Sequence, residues 1–182
     1  IVDYIEGESL DKKLKECGSF TEETVLGWAK QICDVLVYLH EFRPNPIIYR
    51  DLKPSNIILA GDGSIKLIDF GIAREYKKES SGDTVYIGTR GYAAPEQYGC
   101  GQTSAASDIY SFGVTVYELL TGESPAAGSG GIRQSLYGNQ RISAEMMQII
   151  EKCTRTDPSQ RFRSARELLE CLNKTGREEG TG

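Results

Sequence analysis

The stretch Tyr49-Arg50-Asp51-Leu52-Lys53-Pro54-Ser55-Asn56 concentrates a carboxylate, an ammonium and a carboxamide in one polar loop between apolar segments. Asp69-Phe70-Gly71 follows after a further pair of short apolar runs. Two strands folding back on each other would bring Asn56 and Asp69 to the same end of a hairpin. Their oxygens suit a hard cation such as Mg²⁺. Asp51 and Lys53 stand beside them, able to orient a hydroxyl and to neutralise phosphate charge. The residue types and their order point to metal-assisted phosphoryl transfer. Taken singly, Asp51, Asn56 and Asp69 are ordinary turn and cap residues, and Lys53 an ordinary solvated lysine; their combination is what carries chemistry.

The elements that must position these groups are readable around them. An opening strand ends at Gly7, and Ser9 caps a short helix that buries Leu10 and Leu14 and stops at Gly18. Thr21 caps a longer helix, with Glu22 and Glu23 at the positive end of its dipole. Val25, Trp28, Ala29, Ile32, Val35, Leu36 and Leu39 form its core-facing stripe, and His40 ends it in a structural position. Ile47 to Tyr49 reads as extended. Asn56–Leu59 and Ser64–Ile68 flank a Gly61-Asp62-Gly63 turn and form a hairpin. The polar segment 75–84, with Lys77 and Lys78, reads as a loop. Ser107–Leu120 is apolar on nearly all sides, as a helix in the middle of a domain must be. Residues 122–131 are rich in Gly, Ser and Ala and read as flexible. Ser143 caps a helix with Met146, Ile149, Ile150 and Cys153 inward. Ser164 and Glu167 form a capping box for a last helix with Leu168, Leu169 and Leu172 inward. The tail from Thr175 is polar.

The chain has 182 residues, 39% apolar and 26% charged, which suits a folded domain with a real core. Its 26 acidic and 21 basic residues give a net charge of −5, which disfavours a general nucleic-acid surface and leaves room for a local basic site. Five widely spaced cysteines and a single histidine form neither a disulfide framework nor a zinc site, and a reducing, cytoplasmic setting is expected. No apolar run approaches the roughly 20 residues of a membrane span.

Tyr49–Asn56, Asp69-Phe70-Gly71, then Gly88–Glu96 (GTRGYAAPE) and Ser107–Gly113 (SDIYSFG) together resemble the ordered signature set of the C-terminal lobe of a serine/threonine protein kinase. The wording is most similar to bacterial members of the eukaryotic-type family, and the resemblance spans Ile1 to Leu172. It implies a mainly α fold: the C-lobe of the α+β kinase fold, with helices around a central buried helix and short hairpins at the active-site face. It divides the chain into a hinge segment 1–8, a lobe 9–174 holding the catalytic loop 49–56 and the activation segment 69–96, and a tail 175–182.

The resemblance also implies roles. Asp51 would accept or orient the proton of the acceptor hydroxyl. Lys53 would contact the transferred γ-phosphate of ATP. Asn56 and Asp69 would hold Mg²⁺. Thr89 would bond the catalytic Asp and Lys and favour Ser/Thr acceptors. Asp3 and Ile5 would pair with adenine behind a gatekeeper at Val2, over a floor at Ile58. Tyr49, in place of a more usual histidine, would pack as a spine residue, and Phe70 and Gly71 would have structural or regulatory roles. Glu96 would pair with Arg161, and Asp108 would bond the catalytic-loop backbone. Arg50 would collect a phosphate on the activation loop, with Thr84 the foremost site and Ser80 or Ser81 next.

A complete kinase further needs a glycine-rich loop, a strand lysine and a helix glutamate, all before the hinge. None occurs in these residues. The expectation is therefore a kinase cut at its hinge, whose partners are protein substrates and the missing N-lobe, with little activity alone. A truncated kinase or pseudokinase-like scaffold is the alternative. A small-molecule phosphotransferase is a third reading, weakened by the GTxxYxAPE segment. Residues 121–141 look weakly helical, which puts substrate docking by the family's usual helix in doubt.

Overall fold

The computed structural model describes residues 6–70, 74–75, 89–98, 102–125 and 131–175. The chain opens with β1 (Gly7–Ser9), then α1 (Leu10–Cys17) and α2 (Glu22–His40). Ser9 and Thr21 cap the two helices, each accepting the backbone N–H three residues on. Next come β2 (Ile47–Ile48), a 3₁₀ turn at Pro54–Asn56, β3 (Ile57–Ala60), β4 (Ile65–Leu67) and β5 (Arg74–Glu75). A second 3₁₀ turn, Pro95–Tyr98, leads to α3 (Ala105–Thr121), α4 (Gly131–Tyr137) and α5 (Ala144–Cys153). A third, Pro158–Gln160, precedes α6 (Ala165–Lys174).

β3 and β4 form the expected hairpin, and β1 joins the free edge of β3, giving an antiparallel sheet of order β1-β3-β4. The turn closes through Gly63 N–H on the Ala60 carbonyl at 3.0 Å. Asp62 Oδ1 accepts from Ser64 N at 2.9 Å. Gly63 has φ 83°, a conformation that favours glycine. The segment 75–84, read as loop, starts otherwise: Arg74 and Glu75 pair with Ile48 and Ile47. The rest of that segment lies outside the described residues. The stretch 121–141 holds more helix than its composition suggests, because α4 forms at its centre.

The core sits around α3. Ser107, Asp108, Ile109 and every residue from Ser111 to Leu120 are buried, so no face of this helix is left to water. Its N-terminus is closed by a reciprocal box between Ser104 and Ser107. α2 packs on α3 and α6, and α5 packs on α3. Two glycines set the closest approaches. Gly122, at φ 73°, ends α3 so near α1 that a Cβ there would lie 1.9 Å from the Gly18 carbonyl oxygen. At Gly113, a Cβ would meet Cys153 Cβ at 2.5 Å and Thr154 Cγ2 at 2.9 Å. Gly113→Ala must therefore push α5 off α3, and it is expected to cost about 1–3 kcal/mol, the usual range for overpacking. Urea unfolding of the 182-residue chain measures this; an unchanged midpoint would contradict so tight a contact.

Candidate active site

The loop Tyr49–Asn56 owes its shape to an aspartate on the central helix. Asp108 is fully buried. Its Oδ2 accepts from Tyr49 N at 2.8 Å and its Oδ1 from Arg50 N at 2.8 Å. His40 Nε2 lies 2.8 Å from the same Oδ2, which gives the last residue of α2 its structural work. Arg50 adopts φ 73°, a conformation that costs a non-glycine residue roughly 1 kcal/mol or more. The two bonds from Asp108 hold it there. The Arg50 side chain is buried and donates through Nε and Nη2 to Thr103 Oγ1, at 2.9 and 2.7 Å.

Four of the expected residues meet in one hydrogen-bonded set. Asp51 Oδ1 accepts from Thr89 Oγ1 at 2.8 Å, and Oδ2 from Asn56 Nδ2 at 3.0 Å. Asn56 Nδ2 also reaches the Asp51 carbonyl at 2.8 Å. Lys53 Nζ donates to Thr89 Oγ1 at 2.6 Å and lies 3.4 Å from Asp51 Oδ2. Both carboxylate oxygens are thus held from different sides, and an ammonium stands beside them. Asp51 itself is only part-buried.

Asp69 reaches this site through the backbone. Ile68 N donates to the Asn56 carbonyl at 3.0 Å, which sets Asp69 one residue from Asn56's strand partner. Asp69 has φ 60° and is exposed. Tyr49 steadies the same point: its hydroxyl donates to the Ile68 carbonyl, and its ring meets Phe70 edge-on, centroids 5.1 Å apart. Burial pushes the Tyr49 phenol above its ordinary range, and the carboxylates of Asp51, Asp69 and Asp108 push it the same way. It therefore stays a donor. The oxygens of Asn56 and Asp69 are a hard donor set that fits Mg²⁺, whose remaining ligands are usually water and phosphate.

The segment after Thr89 is pinned to α3. Arg161 forms a two-pronged pair with Glu96, Nη1 to Oε1 at 2.8 Å and Nη2 to Oε2 at 2.9 Å. It also donates to the carbonyls of Arg155, Ala106 and Thr156, and lies 5.0 Å from the Tyr110 ring centroid. Ser107 Oγ adds a bond to Glu96 at 2.9 Å. Burial pushes the Glu96 carboxyl up; Arg161, a backbone N–H and Ser107 pull it down further, leaving it below the usual carboxylate value. Tyr92 bonds Glu118 on α3, while Ser111 Oγ donates to the Tyr92 carbonyl at 2.8 Å.

Ile58 is half-buried on β3, opposite Ser9 and Lys66. Val2, Asp3, Ile5, Gly71, Ser80, Ser81 and Thr84 lie outside the described residues. His40, Thr103 and Glu118 support the site without any local signal in the sequence, and Tyr92 does so from within the GTRGYAAPE motif, where no role was expected of it. Each bonds a partner at least 26 residues away.

The family model for the protein kinase domain matches residues 1–172. Among curated relatives, serine/threonine-protein kinase PknA of Nostoc sp. is 38% identical over 184 residues, 94% of this chain and 32% of the relative. A serine/threonine-protein kinase of Corynebacterium efficiens is 32% identical over 182 residues, 95% of the chain and 34% of the relative. The eye isozyme of protein kinase C from Drosophila melanogaster is 32% identical over 175 residues, 91% and 24%. The chain spans about a third or less of the length of these relatives.

Proposed function

This chain belongs to the protein kinase family, and on that premise we propose that it forms the catalytic part of an enzyme that transfers the γ-phosphate of ATP to serine or threonine hydroxyls of proteins. The observation that carries this reading is the Asp51–Asn56–Lys53–Thr89 set, in which one carboxylate is oriented at both oxygens and flanked by a cation. Asp51 takes the acceptor hydroxyl and its proton, its direction fixed by Thr89 and Asn56. Lys53 balances charge on the phosphate as it moves. Asn56 and Asp69 would hold Mg²⁺, which supplies further neutralisation across the ATP phosphates when bound. Because most of the work in phosphoryl transfer is positioning and charge stabilisation, a rigid loop anchored by a buried aspartate serves it well.

The glycine-rich loop and phosphate-gripping lysine of a complete ATP site are, in this reading, contributed from outside these 182 residues. Purified 1–182 is expected to phosphorylate a generic Ser/Thr substrate little or not at all with ATP and Mg²⁺, whereas the complete kinase does so. Turnover by 1–182 that Asp51→Asn abolishes would refute that division. Absence of Mg²⁺-dependent transfer from ATP by the complete protein would refute the function itself.

Arg50 has a place in the same reading. A phosphate on Thr84, Ser80 or Ser81 would offer its guanidinium charged oxygens in place of the neutral Thr103 hydroxyl, and so order the activation segment. Mass spectrometry of the active, stoichiometrically modified enzyme tests this; no phosphate between residues 80 and 89 would count against it.

A further inference from the structure

Two adjoining cavities lie beside the segment that follows Thr89. One, of about 370 Å³, is lined by Gly91, Tyr110, Ile132, Arg133, Glu151 and Arg155 among others. The other, of about 410 Å³, is lined by Gln148, Glu151, Lys152, Arg155 and Gln160. They share Glu151 and Arg155 and so adjoin as a groove beside the C-terminal end of α5. Among the described residues, each contains two cations to a single carboxylate, Arg133 and Arg155 in the first and Arg155 and Lys152 in the second. In a chain of net charge −5, this is a local reversal of sign.

The arrangement within the groove turns that excess outward. One oxygen of Glu151 is shared by two guanidinium groups, Arg155 Nη2 at 3.0 Å and Arg133 Nη2 at 3.5 Å. Its other oxygen accepts from Tyr137 at 2.8 Å. The Glu151 side chain is 16% exposed, against 70% for Arg133 and 47% for Arg155. The carboxylate is the less exposed partner, and both arginine side chains stay largely open to solvent, Arg133 with its guanidinium 5.8 Å from the Tyr137 ring centroid. Lys152 is tied to Glu167 at 3.3 Å and rests 4.1 Å from the Phe162 ring centroid. The two arginines are therefore the groups with donor capacity to spare. Guanidinium donors paired with a half-buried acid match a carboxylate ligand, because paired N–H groups meet both its oxygens.

The position relates the groove to the reaction. Gly91 rims it and is two residues from Thr89, whose hydroxyl bonds Asp51. Two chain steps span at most about 7.6 Å, and an extended peptide advances about 3.3 Å per residue. A polypeptide whose hydroxyl sits at Asp51 reaches the groove within a few residues.

We propose that the groove running from Gly91 past Arg133 and Arg155 recognises acidic side chains of the acceptor polypeptide, two to five residues from the hydroxyl that is phosphorylated. This rests on the reading of Asp51 and Thr89 as the acceptor site.

The test separates the two. Fluorescein-labelled peptides with one serine in an alanine context, carrying glutamates or lysines at positions two to five on either side, are titrated into the chain and followed by anisotropy. Binding needs no turnover, so a failure of catalysis leaves this readout intact. A glutamate peptide is expected to bind about tenfold tighter than its lysine counterpart, the equivalent of one charge-assisted bond, and to weaken with added salt. The surface variant Arg133→Gln/Arg155→Gln is expected to bring the two within about twofold, while Asp51→Asn leaves the preference unchanged. No binding, no preference, or a preference that survives the double glutamine variant would overturn the proposal. An acidic preference in binding with none in kcat/KM of the complete kinase would overturn the assignment to the acceptor.

Discussion

Asp51→Asn in the complete kinase is expected to lower kcat about a thousandfold, within the range lost when a positioned general base is removed, with the fold intact. Asparagine can keep an oxygen towards Asn56 Nδ2 and turn its amide nitrogen to the Thr89 hydroxyl, which can accept. The loop therefore keeps its bonds while losing the negative charge that takes up a proton. Asn56 and Asp69 remain, so the KM for ATP should change little. Steady-state kinetics beside thermal unfolding make the check. A variant with reduced stability and near-normal turnover would mean that Asp51 is a turn residue and no more.

The largest effect on stability is expected from Arg161→Met, about 3–5 kcal/mol, the range found when one partner of a buried ion pair is removed. The Arg161 side chain is fully buried and the Glu96 side chain only 13% exposed. Removing the guanidinium leaves that carboxylate unpaired and takes the donor from three backbone carbonyls. The pH dependence has a definite sign. Glu96 is held below its ordinary value of 4.5 in the folded chain. Its contribution is complete above about pH 4.5 and lost as pH falls through the folded value. In the variant the pull of Arg161 is gone and only a backbone N–H and Ser107 still oppose burial, so the carboxyl is expected to rise and acid to relieve the charge rather than break a pair. The gap between the urea midpoints of the two proteins should narrow between pH 7 and pH 4.5. A gap independent of pH would show that packing, not the ion pair, sets the loss.

What could be read from the amino acids alone was whatever is decided locally. Ser9, Thr21 and Ser143 cap their helices as expected, since a cap needs only a hydroxyl and an N–H three residues on. Ser164 does the same, yet its capping box is not reciprocal: the Glu167 carboxylate bonds Arg163 N at 2.8 Å, one residue short of the box. The hairpin around Asp62 and the buried character of α3 were legible for similar reasons. β5 was not, because Arg74 and Glu75 extend only against Ile48 and Ile47, residues that carry no sign of needing a partner there. α4 was hidden by its length of seven residues and its opening glycine. Within the site, the identities of Asp51, Lys53, Asn56 and Thr89 could be named in advance from the motifs. That Arg50 would lie buried against Thr103, or that His40 would share Asp108 with the loop Tyr49–Asn56, depends on chain crossings that no spacing encodes.

Arg50 makes two demands that a single residue meets poorly. Its backbone, at φ 73°, is where glycine would rest at ease, yet its guanidinium is engaged with Thr103 and cannot be given up for a hydrogen atom. The shape of the loop Tyr49–Asn56 is accordingly not written in the loop. Transplanted to another scaffold, Tyr49–Asn56 would relax at Arg50 and turn Asp51 away, unless an aspartate in the place of Asp108 came with it. The converse also holds. A small displacement of the first turn of α3 would be delivered through two 2.8 Å bonds to the residue just before Asp51 and its neighbour. The octapeptide and that turn are, in effect, one inherited part in two pieces, and an exchange between related chains that moved only one of them would carry over the letters without the geometry.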